Sequence, residues 1–246
     1  MFEPLKRWMT GRRPAKGSLE VARAWCDGRK LRLQALGDKS GLLIEGHRNA
    51  VDWRMEWGTS QRSYVSGPEL RIRAEMNLPL DLHLLVLNRS LQESIEAAVF
   101  AQYVEDIQTR LDTQTPPEMR WLVLFPRMSR NDLQDLAPSF AAVSSHKPWL
   151  MAWLDGPLSQ ALQQAPRRAD DPLVLTIGKG RLTLRLGLGT ITTEALDAWV
   201  GLFETGIDQA GRVLLESGDD PTPSTQPGMW PTLDEDLDPP KADTGR

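Results

Sequence analysis

Cysteine, tyrosine and histidine are scarce in this chain of 246 residues, which contains one, two and three of them respectively. With Cys26 as the single cysteine, no disulfide can form within the chain, as is typical of proteins in a reducing compartment. The histidines lie in separate segments without a neighbouring cysteine, so the ligand spacing of a zinc site is missing. We therefore predict no metal site, no cofactor and no catalytic residue.

Long apolar runs are missing as well. No stretch approaches the ~20 apolar residues of a membrane-spanning helix, and the apolar run after the first basic residues is too short for a secretory signal. The net charge is −4, whereas nucleic-acid binding needs a basic surface that neutralises phosphates. We expect a cytoplasmic protein that binds no nucleic acid.

Charge is concentrated at the two ends of the chain. Residues 1–17 contain five basic residues and one acidic residue, and residues 217–246 contain seven acidic and two basic residues. The first segment is predicted to be a flexible basic N-terminus. The last is rich in Pro and Asp and has no hydrophobic periodicity, so we predict a disordered acidic tail over residues 217–246.

Hydrophobic periodicity divides the middle of the chain into two sequential halves, residues 18–112 and 113–216. In the first half, Val51, Trp53 and Met55 alternate with charged residues, which predicts a strand with one buried face. Ser90 begins a capping box and an amphipathic helix that runs to Leu111. The prediction is an α+β fold in which each half is a small, mainly antiparallel sheet covered by amphipathic helices, and the two halves pack as one compact domain.

The shorter elements follow from local patterns and turn residues. They are a helix over 18–28, strands over 31–35, 83–87 and 119–125, hairpins over 41–57 and 173–186, a helix from 129 or 131 to 140, a helix over 150–164 with a possible kink at 156–157, and a long helix over 196–214.

Polar and aromatic groups cluster in the loop over residues 57–67. Gln61, Arg62 and Tyr64 supply an amide, a guanidinium and a phenol, which suit the binding of an anion or a peptide. Alternatively, these side chains satisfy the loop's own backbone groups and pack at the edge of the sheet.

Three arginines form a second candidate site on the neighbouring strands. If the strands pair, Arg54, Arg71 and Arg73 form a basic strip with Glu56 and Glu75 interleaved. Such a strip suits a phosphate or an acidic peptide. The alternative is cross-strand ion pairing on a solvated face.

Both ends of the chain offer partner-binding hypotheses. Phe2, Leu5 and Trp8 with their basic neighbours suit weak peripheral contact with an anionic membrane surface, or the segment is an unstructured solubilising end. In the tail, large apolar residues stand beside an acidic run, which is typical of a linear motif that folds into the groove of another protein. The candidate residues of this motif are Met229, Trp230, Leu233 and Leu237. A plain acidic tail has a similar composition.

Several short segments resemble a family of uncharacterised bacterial proteins of proteobacterial type. They are Glu56-Trp57-Gly58, Ser60-Gln61-Arg62 with Tyr64, residues 69–75, residues 115–121 and Lys147-Pro148-Trp149. The resemblance covers roughly residues 18–216. It implies a bacterial, intracellular protein, and it assigns no catalytic residue because no activity is established for that family.

The sequence favours a non-catalytic intracellular interaction or adaptor protein that binds another protein through its acidic tail. One alternative is a small-ligand or anion-binding domain that uses residues 57–75, and another is an enzyme of unrecognised class. A concave pocket with polar groups near Tyr64 is typical of either alternative.

Overall fold

A computed structural model of the chain describes residues 16–36, 41–104 and 116–217. The helices are α1 (Lys16–Arg29), α2 (Arg89–Val104), α3 (Pro117–Leu124), α4 (Arg130–Leu133), α5 (Lys147–Leu154), α6 (Pro157–Gln164) and α7 (Thr193–Glu216). The strands are β1 (Arg32–Ala35), β2 (Leu42–Arg48), β3 (Val51–Thr59), β4 (Pro68–Glu75), β5 (Leu84–Asn88), β6 (Phe140–Ser144), β7 (Leu173–Gly178) and β8 (Arg181–Gly187). A short 3-10 helix, Gln134–Leu136, follows α4.

All eight strands form one sheet in the order β1-β2-β3-β4-β8-β7-β5-β6, and every neighbouring pair is antiparallel. The α+β class is therefore confirmed. The division into two halves with separate sheets is not confirmed. Strand β4 of the first half pairs with β8 of the second, and β5 lies between β7 and β6. Periodicity shows which face of a strand is buried, but it does not show which strand lies beside it.

The main core lies on one face of this sheet. Alternate side chains of β3, β4 and β8 pack there against α1, α5, α6 and α7. The predicted strand register is confirmed at Trp53, which is only 3% exposed. Its indole Nε1 donates a hydrogen bond to Glu204 of α7 at 3.2 Å.

The opposite face of the sheet is divided between a small apolar core and a charged area. Helices α2 and α3 cover the β5–β6 end, where Leu85 and Leu87 pack with Leu91, Ile95 and Leu122. Beside this small core, the same face of β3, β4 and β8 carries the charged side chains that alternate with the main core. This charged area contains the candidate site.

Two elements differ in type from the prediction. The strand predicted over residues 119–125 is wrong, because helix α3 occupies this segment. Pro117 at the first helical position and Glu118 in the first turn both favour a helix start, and a short apolar run alone does not distinguish a strand from a helix. The helix predicted from Ser129 or Asn131 starts as predicted, since Ser129 caps α4. Its predicted extent to Phe140 is wrong, because Phe140 begins β6 and all five side chains of that strand are buried.

Several local boundaries are more specific than the sequence patterns. The β2–β3 turn is formed by Asn49 and Ala50, both with positive φ, so His47 belongs to β2. The predicted kink is a break between α5 and α6 at Gly156, whose φ is +71°. The hairpin of β7 and β8 and the long helix α7 are confirmed.

Gly46 of β2 lies directly against the indole of Trp53, and a Cβ at this position would overlap with the ring. We expect Gly46→Ala to lower the free energy of unfolding by about 1–3 kcal/mol through overpacking. In Gly201→Ala, the matched control on α7, the new Cβ meets no atom within 4 Å and should stabilise the helix by up to ~1 kcal/mol. Urea unfolding of both variants measures the difference, and equal midpoints would contradict the tight packing at Gly46.

Candidate functional site

The charged area is formed by side chains from three strands, one loop and one helix. We call it the arginine face, and it consists of Arg54 and Glu56 of β3, Arg62 of the β3–β4 loop, Glu69, Arg71 and Arg73 of β4, Arg185 of β8, and Glu118 of α3. Strand alternation places its β3, β4 and β8 residues opposite the main core.

The three arginines predicted from the strands converge on one carboxylate. Arg73 Nη2 lies 2.5 Å from Glu56 Oε1, Arg54 Nε lies 3.2 Å from the same oxygen, and Arg71 donates to Glu56 Oε2. Burial disfavours the charged form of Glu56, but Arg71 and Arg73 outweigh it and hold the pKa of this carboxyl below its usual value. Glu56 is therefore ionised at neutral pH.

The loop residues converge on a different carboxylate. Arg62 Nε and the Tyr64 hydroxyl each donate a hydrogen bond of 2.5 Å to Glu118 Oε1, and Glu118 is only 3% exposed. Gln61 donates its backbone N–H to Glu69 Oε2 at 2.7 Å. The polar groups of Arg62 and Tyr64 are thus engaged by a carboxylate of α3, and the ligand-binding role of Gln61, Arg62 and Tyr64 stays a prediction.

Ionisation within this loop cluster follows from its hydrogen bonds. Burial disfavours the carboxylate of Glu118, but the hydrogen bonds from Arg62 and Tyr64 hold its pKa below the usual value. Burial, followed by the charge of Glu118, raises the pKa of Tyr64. Glu118 is therefore an acceptor and Tyr64 a donor at neutral pH.

Arg185 joins the two clusters, and the sequence patterns did not identify it. It forms an ion pair with Glu69 and lies directly opposite Arg71 across the β4–β8 ladder. The alternation of Arg181, Thr183 and Arg185 along β8 was a usable signal, because it places all three on the polar face. Glu118 gave no such signal, because it immediately precedes the strand predicted over residues 119–125 and so belonged to no predicted element with a polar face.

Positive charge exceeds negative charge on the arginine face, with five arginines and three glutamates. Two pairs of like charges stand directly opposite each other, Arg54 with Arg73 and Arg71 with Arg185. Arg71 is 6% exposed, and its Nε has no hydrogen-bond partner among the described residues. Burial and the neighbouring charge of Arg185 lower the pKa of Arg71 despite its ion pair with Glu56. An anion near Arg71 would offset this unfavourable arrangement.

A cavity of about 680 Å³ opens beside the arginine face, toward β1 and β2. Its basic lining residues are Lys30, Arg32, Arg54 and Arg73, and its acidic lining residues are Glu45, Asp52 and Glu75. Arg54 and Arg73 are therefore open to a ligand that enters from solvent. A second cavity, of about 410 Å³, is lined by Tyr64, Arg167 and Trp199 among others.

The histidines and the cysteine have structural surroundings. His146 Nδ1 accepts a hydrogen bond from the Trp149 N–H at the start of α5, and His83 lies 5.0 Å from Trp121 and 5.3 Å from Phe125 between ring centroids. Burial raises the pKa of Cys26 to about 11, so its thiol is protonated. Across residues 16–36, 41–104 and 116–217, no three His, Cys, Asp or Glu side chains group as metal ligands would.

Some predictions fall on other parts of the chain. Phe2, Leu5 and Trp8 of the basic N-terminus and the motif from Met229 to Leu237 lie outside the described residues, so the membrane and partner hypotheses for these ends stay predictions. None of the described helices has the length and apolar character needed to cross a membrane.

No family model matches this chain, and no curated protein matches its sequence. Among solved structures, the chain is similar to the crystal structure of the mycobacterial trehalose monomycolate transport factor A, TtfA. The TM-score is 0.46 at 8% sequence identity, and the match covers 81% of this chain and 97% of TtfA. A likeness of this degree assigns no function to the chain, and the resemblance to a bacterial family stays a prediction.

Proposed function

We propose that this chain is a non-catalytic interaction protein that binds an acidic segment of another protein through the arginine face. The observation that carries the proposal is the buried guanidinium of Arg71, which lies opposite Arg185 and has an unpaired Nε among the described residues. Like charges directly opposite each other on a sheet are destabilising. A carboxylate that a partner places beside the more exposed Arg54 and Arg73 would neutralise part of this charge.

The chemistry of arginine suits a carboxylate-bearing partner. A guanidinium is planar and always charged, and it can hold a carboxylate through two parallel hydrogen bonds. Arg54 and Arg73 are only partly engaged by Glu56, with 48% and 34% of their side-chain surface exposed. They can contact an incoming carboxylate without first leaving the buried interior.

The size of the basic area favours an extended segment over a single small anion. Arginines of the same sheet face lie on four of five adjacent strands, from Arg32 on β1, outside the arginine face, to Arg185 on β8, and Glu45 of β2 stands between Arg32 and Arg54. At ~4.8 Å between strands this distance is about 19 Å, which is several times the size of one phosphate group. An acidic peptide can place successive carboxylates along this distance.

The carboxylates of the arginine face favour binding over acid–base chemistry. Arg71 and Arg73 hold the pKa of Glu56 below its usual range. The hydrogen bonds from Arg62 and Tyr64 do the same to the pKa of Glu118. A general acid or base needs a pKa near the working pH, whereas the pKa values of these two carboxyls are shifted away from neutral pH. They serve as anchors that orient the arginines.

The proposal is tested by the binding of a fluorescein-labelled hexaglutamate peptide to the full chain, followed by fluorescence anisotropy. We expect the double variant Arg54→Gln with Arg73→Gln to bind about ten-fold more weakly, because each exposed charged contact contributes up to ~1 kcal/mol. The matched control is Arg23→Gln with Arg168→Gln, which removes the same charge from exposed positions and should bind like the wild type.

Salt and phosphate complete this test. Binding should weaken as ionic strength rises, because the exposed part of the interaction is screened. Equal affinity of both double variants would contradict the proposal. If inorganic phosphate displaces the peptide at concentrations where the peptide itself saturates, the arginine face is a small-anion site and not a peptide site.

A further inference from the structure

The proposed function leaves open what covers the arginine face when no partner is bound. We infer that this chain's own residues 234–238 occupy it, and that they regulate access by competing with acidic segments of other proteins. The inference rests on the proposed function, because it assigns an occupant to the same site.

The sequence Asp234-Glu235-Asp236-Leu237-Asp238 has the chemistry that the arginine face lacks. It presents four carboxylates within five residues, whereas the face has five arginines for three glutamates. In an extended conformation, five residues span about 16 Å at ~3.3 Å per residue. This length is close to the ~19 Å that separates Arg32 on β1 from Arg185 on β8.

Helix α7 brings the chain to the end of the sheet where the cavity opens. Asp208 of α7 accepts hydrogen bonds from Arg48 at 2.6 Å and from Asn49 at 2.7 Å, so this part of α7 lies against the β2–β3 turn. His47 and Asp52, which flank the same turn, line the 680 Å³ cavity. Glu216 ends α7 only eight residues after Asp208, about 12 Å farther along the helix axis.

The connecting chain is long enough to reach around the edge of the sheet. Ser217 and Asp234 are 17 residues apart. For the disorder predicted from the sequence of this segment, the root-mean-square span is about 23 Å, at ~5–6 Å multiplied by the square root of the residue number. Its effective concentration at the arginine face is on the order of 1 mM. Even a weak intramolecular contact would therefore compete with a partner in solution.

The test uses the full chain and the same labelled hexaglutamate peptide. One variant neutralises the acidic run with Asp234→Asn, Glu235→Gln, Asp236→Asn and Asp238→Asn. The matched control removes four other negative charges with Asp219→Asn, Asp220→Asn, Asp243→Asn and Glu20→Gln. We expect the first variant to bind the peptide about ten-fold more tightly than the wild type, and the control less than about two-fold more tightly, because only the first frees the site.

A synthetic peptide of residues 226–246 supplies the direct measurement. It should bind the variant with the neutralised acidic run, and Arg54→Gln with Arg73→Gln in that variant should weaken this binding. If the neutralised variant and the wild type bind hexaglutamate equally while the arginine variant still loses affinity, the inference is overturned and the proposed function stands. If neither peptide binds the neutralised variant, both are overturned.

Discussion

Trp153→Ala is expected to lower the free energy of unfolding by ~3–5 kcal/mol, because the variant leaves a large cavity in the main core. Trp153 of α5 is fully buried, and its Nε1 donates a hydrogen bond of 3.0 Å to the carbonyl oxygen of Gly206 in α7. The substitution removes the packing of the indole between α5 and α7, and it also removes the hydrogen bond from Trp153 to Gly206. Urea unfolding followed by circular dichroism measures the loss.

Two further variants separate packing from hydrogen bonding at this position. Trp153→Phe keeps most of the ring but removes the donor, and we expect a smaller loss of about 1–3 kcal/mol. Leu215→Ala is the control, because Leu215 is 85% exposed at the end of α7 and should change stability by no more than ~0.5 kcal/mol. If Trp153→Ala matched this control, the position of Trp153 at the centre of the core would be refuted.

Glu118→Ala is expected to cost a similar ~3–5 kcal/mol, because it leaves the Arg62 guanidinium without its carboxylate in a largely buried position. The ion pair of Arg62 and Glu118 has side-chain exposures of only 18% and 4%, and the Tyr64 hydroxyl loses its acceptor as well. Glu75→Ala is the matched control. It breaks the ion pair of Glu75 with Arg181, whose side chains are 70% and 47% exposed respectively, and it should cost at most ~1 kcal/mol.

The effect of Glu118 should also depend on pH in one direction. Its pKa in the folded protein lies below the usual value of 4.5, so its ionised form stabilises the fold at any pH above that value. This stabilisation is lost as the pH falls through the lower, folded-state pKa. The difference in unfolding free energy between wild type and Glu118→Ala should therefore be constant from pH 7 to about 5 and then narrow in more acidic solution. A difference that widened in acid would contradict the low pKa.

The sequence predicted those elements whose residues repeat with a clear period and have turn residues at their ends. Val51, Trp53 and Met55 alternate with charged residues, and β3 has the predicted register. The hairpin of β7 and β8 and the helix α7 were predicted for the same reason. The strand β6 was missed because all five of its side chains are buried, and a strand without alternation has no period of two to detect.

The candidate site was predicted only in part. The arginines of β3 and β4 were identified because alternation places them on one face, and this depends on the strand alone. Glu118 and Arg185 were missed. Glu118 reaches the site from helix α3, and Arg185 lies 116 positions after Glu69, its partner on β4. Contacts of this kind depend on strand order, which the local pattern does not contain.

The sequence by itself determined the α+β class, most of the strands and helices, and which face of β3 and β4 is charged, because periods of two and 3.6 residues are local properties of the backbone. Only the tertiary structure decided that both halves share one sheet, that Arg62 and Tyr64 are held by Glu118, and that Arg71 lies buried opposite Arg185. Those outcomes depend on which segments lie side by side, and many pairings of the same strands would bury the same apolar residues equally well.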